Sequence, residues 1–260
     1  MGEVRSLCVV LVWWVVWCGE AWCGSPSVTY IESRWGDFFM AENRSVVRTA
    51  AFLVLPTTNL CTCKTQCMAS GKCQAWSLVE TSPGVSECWL ASQGPVVYGT
   101  TLDTTTVTTT TPNTNATYFF RKDSVTGIYG TYTWQADGLL YLTMSKLVRG
   151  TFSQAKSFCA AIPGHRLGIY KTVIQQTFIT ALTAGTGDVW FVDLSKNGSN
   201  PAVWGDGTLY QSTQLDPNLL RTNDQTIFNV YALYQGHIQD FGSTSSVFVQ
   251  CQVNPRGVDW

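Results

Sequence analysis

Cysteine limits what this chain can fold into more than any other residue. Ten are present: Cys8 and Cys18 lie within the first 21 residues, followed by Cys23, Cys61, Cys63, Cys67, Cys73, Cys88, Cys159 and Cys251. An apolar run, Leu7 to Trp17, follows Arg5 and precedes the small residues Gly19 and Ala21. That order is a secretory signal peptide, expected over 1–21. The run is shorter than the roughly 20 residues a bilayer-spanning helix requires, and no later stretch is long and apolar enough, so no membrane span is expected. The expected location is extracellular. There, cysteines pair, and cleavage after Ala21 leaves an even number. A zinc site on Cys61, Cys63, Cys67 and Cys73 is the competing reading, but their spacing is irregular and no histidine lies nearby.

Formal net charge is -1 and only 13% of residues are charged. The chain therefore lacks the basic stripe that neutralises phosphates, and no nucleic-acid partner is expected. Three sequons, at Asn43, Asn115 and Asn197, fit an exported protein glycosylated on its loops. The stretch 100–117 is dominated by threonine and is expected as a long exposed loop, because Tyr118-Phe119-Phe120 after it reads as a strand with a partner earlier in the chain.

From Trp35 to Lys122 short apolar strands surround one cysteine-rich turn. Cys63 and Cys67 are four apart, so both lie on one face of a short helix. From there one sulfur can reach the strand holding Cys73 and the other the strand holding Cys88. This stretch resembles the PAN/apple family through Cys63, Cys67, Cys73-Gln74-Ala75-Trp76 and Cys88-Trp89-Leu90. The resemblance implies bonds from Cys63 to Cys88 and from Cys67 to Cys73, in a module over 22–123 that binds proteins or sugars. Cys61 falls outside the pattern, and parity assigns it to Cys23.

Beyond Gly127, Leu139 to Leu142 reads as a strand. Thr151 to Cys159 reads as an amphipathic helix with Phe152, Ala155, Phe158 and Cys159 on one stripe. A second helix is expected near Val173 to Leu182, then strands at Val189–Leu194, Ala202–Thr208 (closing on an Asp-Gly turn) and Val247–Cys251. In order, these resemble the C-type-lectin-like domain, here over 127–254. Trp190 to Leu194 stands for its core strand and Val203 to Thr208 for its Trp-x-Asp-Gly-Thr segment. The resemblance implies a Cys159–Cys251 bond, which stabilises by about 4 kcal/mol in the chain-entropy model. The family's second disulfide has no counterpart, its positions being Asn229 and Ser243. The expected fold class is α+β, as two small disulfide-bonded domains.

Sugar-binding members of that family hold one Ca²⁺ through a Glu-Pro-Asn tripeptide, a later acid and a Trp-Asn-Asp tripeptide. The resemblance places Asp216-Pro217-Asn218 at the first, Asp224 at the acid and Ile238-Gln239-Asp240 at the second. The expected metal ligands are Asp216, Asn218, Asp224 and Asp240, with Gln239 added for sugar. Each offers the hard oxygen that Ca²⁺ takes. Asp216 is one methylene shorter than glutamate and Gln239 one longer than asparagine, so the site is degenerate. A cis Pro217 would turn its neighbours toward the metal. The plain alternative is a turn at Asp-Pro-Asn and a surface acid at Asp240. Enzyme readings are weak: His165 and His237 are the only histidines, and neither neighbours a nucleophile motif. Two functions follow, a Ca²⁺-dependent lectin for glycans or glycoproteins on microbial or cell surfaces, and a metal-independent protein-binding or matrix module.

Overall fold

The computed structural model describes residues 28–33, 36–57, 59–99, 101–102, 107–222 and 228–260. The signal segment, Cys23 and Asp224 lie outside the described residues. No helix among them is long and apolar enough to cross a membrane.

The N-terminal half is a six-stranded antiparallel sheet. Its order is Thr29–Ile31, Phe38–Val46, Thr110–Arg121, Ala75–Ser82, Val85–Ala91, Ala51–Thr57. Side chains alternate across it, as a pleated strand demands. Trp76 and Phe119 lie on one face, stacked with ring centroids 3.9 Å apart, while Ala75, Tyr118 and Phe120 belong to the core on the other. The helix Leu60–Ala69 covers the Trp76 face and buries only Cys63 and Cys67. Its weak apolar stripe explains why covalent bonds attach it: Cys63 is joined to Cys88 and Cys67 to Cys73. Cys61 is disulfide-bonded as well.

The threonine stretch expected as a loop over 100–117 is corrected here. The strand Thr110–Arg121 begins inside it and pairs with Phe38–Val46 past an irregularity at Asn43, where φ is 59°. Thr109 and Thr110 are buried. β-branched threonine suits extended backbone, and a long partner strand supplies the pairing that composition alone does not reveal.

The C-terminal half has two sheets. The smaller orders His165–Leu167, Gln250–Val253, Leu140–Met144 and Gly130–Trp134. The larger orders Arg149–Gly150, Val247–Phe248, Val189–Ser195, Phe228–Tyr234, His237–Gly242 and Leu220–Arg221, with Val203–Trp204 beside Val189–Ser195. The last stretch of chain therefore serves both sheets, changing over at Val249. Helices Phe152–Ala161 and Val173–Thr183 both open on capping boxes, Thr151 with Gln154 and Thr172 with Gln175. Cys159 on the first is bonded to Cys251. The turn after Val203–Trp204 closes through Gly207, whose φ of 89° suits glycine.

The expected pair of small domains instead shares one core. A single cluster of buried side chains runs from Phe39, Tyr118 and Phe120 into Leu142, Phe158 and Cys251. Phe39 meets Tyr132 at 5.2 Å and His165 at 5.5 Å between ring centroids, and Tyr30 meets Trp134 at 5.7 Å. The stretch that follows the strand Val85–Ala91 crosses the same seam: Tyr98 packs edge-on against Phe158, and Leu102 N donates to Arg149 O at 2.9 Å. Apolar sheet faces left open by each half are buried by the other, which composition cannot foretell.

Candidate functional site

Asp216, Asn218, Gln239 and Asp240 are brought onto neighbouring segments but not into one cluster. Leu220–Arg221 runs parallel to Ile238–Gln239, with Leu220 opposite Ile238 and Arg221 opposite Gln239. That register sets Asp240 level with Thr222, four positions beyond Asn218, up to about 13 Å along the strand direction at strand rise.

Asp216 caps a tight turn. The 3₁₀ turn Pro217–Leu219 follows it, and its Oδ1 accepts from Asn218 N at 2.8 Å and Asn218 Nδ2 at 3.0 Å. Its own backbone N donates to Gln176 Oε1 at 2.8 Å, and its carbonyl accepts from Tyr210 OH at 3.0 Å. Leu215 and Leu219 are buried on either side, so the exposed tripeptide is stapled to the body as a turn. The Asp216–Pro217 peptide bond is trans, contrary to the cis geometry the resemblance suggested. The Asp216 carboxylate already closes the turn, so the chain holds it without a metal.

Asp240 is no surface acid. Its side chain is fully buried on the strand His237–Gly242, and Lys196 Nζ lies 3.6 Å from its Oδ2. Lys196 follows the strand Val189–Ser195, is anchored by its N–H to Asn229 O at 3.0 Å, and is 10% exposed at its side chain. An ammonium beside the best-placed carboxylate answers the charge that Ca²⁺ would answer. A divalent ion there would have to overcome repulsion from Lys196 or displace it. Among the described residues no three His, Cys, Asp or Glu side chains come close enough together to hold a metal ion. The donors among the described residues, which do not include Asp224, do not fit calcium. Sequence reading missed Lys196 because it is 44 residues from Asp240, and only the pairing of three strands brings them together.

His165 is engaged inside the fold. His165 Nδ1 lies 2.9 Å from Pro163 O, which can only accept, so Nδ1 bears the proton and Nε2 accepts from Tyr132 OH at 2.7 Å. Burial holds its pKa down to about 4. Both ring nitrogens are thus occupied inside the seam. His237 starts a strand, opposite Tyr234.

No family model and no curated protein matches the sequence. Solved structures similar to it include C-type lectin domains and an antifreeze protein, each matching just under half of the chain. The carbohydrate-recognition domain of the mouse scavenger receptor C-type lectin is 17% identical with a TM-score of 0.39, covering 49% of this chain and 97% of that one. The C-type lectin domain of murine dendritic cell inhibitory receptor 2, in complex with N-glycan, is 18% identical with a TM-score of 0.38, covering 47% and 94%. A calcium-independent type II antifreeze protein is 15% identical with a TM-score of 0.37, covering 46% and 89%.

Proposed function

We propose that the protein is a secreted, non-catalytic recognition protein, with a PAN/apple-like N-terminal half and a C-type-lectin-like C-terminal half, that binds its ligand without calcium. The motif resemblances support the two halves. The helix-to-strand bond Cys159–Cys251 and the Val203–Thr208 turn support the second in particular. The observation that carries the metal-free reading is the buried Lys196–Asp240 pair, which neutralises the acid a calcium site would need most. Disulfides in both halves support an oxidising destination. With both nitrogens of His165 bonded internally, that side chain is not available as a base, which supports a binding role.

The test is thermal unfolding of the secreted protein with millimolar Ca²⁺ or EDTA, together with a glycan array under both conditions. The expected result is the same melting temperature and the same retained ligands in both. A melting temperature that rises with Ca²⁺, or ligands released by EDTA, overturns the reading in favour of a calcium-dependent lectin.

A further inference from the structure

The seam between the halves opens on one side into a cleft of about 560 Å³. Its lining includes Gln74, Ser92, Gln93 and Tyr98 from the N-terminal half and the turn carrying Ile128 and Tyr129. Clefts of this size at the junction of two structural units are where small ligands usually bind. Tyr98 OH donates to Val125 O and to Thr126 O, the latter at 3.0 Å, and so ties the two walls together. Gly94 makes the close approach possible: a Cβ there would overlap the Ser124 side chain. Tyr98 and Gly94 therefore hold the backbone segments on the two sides in close approach.

Its chemistry is specific. Ile128 is 87% exposed and Val97 40%, so apolar surface lies open beside the half-buried rings of Tyr98 and Tyr129. The side chains of Gln74, Ser92 and Gln93 make no hydrogen bond to another described residue, while the backbone of Gln74 is held by Ala91 O and Arg121 N. Asp123 is the only charged residue in the lining, and Arg121 neutralises it through contacts of 2.9 Å and 2.7 Å. The cleft thus offers two amides, a hydroxyl and aromatic surface with no uncompensated charge. Amides and hydroxyls both donate and accept, which suits a ligand rich in hydroxyl groups. The apolar rings suit the C–H faces of a sugar ring.

We infer that this cleft binds a neutral oligosaccharide without metal, the ligand being gripped by both halves of the chain. The inference rests on the metal-free recognition reading and names the site and ligand class for it. The experiment is a printed array of neutral, sulfated and sialylated oligosaccharides probed with the full secreted protein in EDTA, followed by titration of the best binder. Neutral oligosaccharides are expected to be retained. Gln74→Ala and Gln93→Ala should each weaken binding by about tenfold, the loss of one net hydrogen bond. Ile128→Asp should weaken it similarly, and its high exposure leaves folding intact. Retention in EDTA unchanged by all three variants overturns the cleft and leaves metal-free recognition standing. Retention of only charged glycans, or of none with or without Ca²⁺, overturns the ligand class. Retention that requires Ca²⁺ and is lost in Asp240→Asn overturns the underlying reading itself.

Discussion

The two halves are fastened by opposite means. In the N-terminal half, where Cys61 is bonded as well, the two bonds between described residues span short stretches, 25 residues for Cys63–Cys88 and 6 for Cys67–Cys73, around a helix with almost no apolar face of its own. In the C-terminal half one bond, Cys159–Cys251, spans 92 residues between elements that also bury Ala155 and Phe158. Short bonds hold a helix that packing would not hold; the long one removes far more freedom from the unfolded chain.

Reduction variants sharpen that contrast. Replacing Cys159 and Cys251 by alanine should destabilise by a little over ~4 kcal/mol in the chain-entropy model, whereas replacing Cys67 and Cys73 should lose about 2 kcal/mol. Chemical denaturation with and without each pair checks the difference; equal losses would show that loop length does not govern it. Asp240→Ala should destabilise by about 3 kcal/mol, because it leaves Lys196 buried and unpaired. The double variant with Lys196→Met should recover most of that, and failure to recover would mean the two side chains do not act as a pair.

Acid should act on the seam. His165 has a folded-state pKa of about 4, below its unfolded value of 6.5. The unfolded chain therefore takes up a proton first as pH falls. Stability is full above about pH 6.5, declines through pH 4, and at pH 5 is lower by about 2 kcal/mol, at 1.36 kcal/mol per unit. His165→Phe should flatten this part of the pH–stability curve, measured by denaturation at successive pH values. Asp216→Ala removes only a cap on an exposed turn and should lose about 1 kcal/mol. A larger loss would assign Asp216 more than its turn.

Much of the secondary structure was legible in sequence, since helices Phe152–Ala161 and Val173–Thr183 lie near where their periodicity placed them. Thr151-x-x-Gln154 and Thr172-x-x-Gln175 are capping signatures readable in advance. Tyr118–Phe120 was legible as a strand with an earlier partner, but the threonine-rich first part of Thr110–Arg121 was not, because it shows no apolar alternation until its partner is known. The candidate site was legible as residue types only. Whether four oxygen donors converge depends on strand register, and whether an acid is already neutralised depends on a lysine that three strands carry to it. Nothing local announced the aromatic seam either, since Phe39 and Tyr132 reveal their match only when the sheets meet.

That seam makes the chain hard to dissect. A fragment ending near Gly127 would present Phe39 and Phe120 to water, and the remainder would present Tyr132 and Leu142, so each piece would carry a sticky face where the intact protein carries none. Co-expression of both pieces, rather than either by itself, is the route by which such a cut protein would stay dissolved.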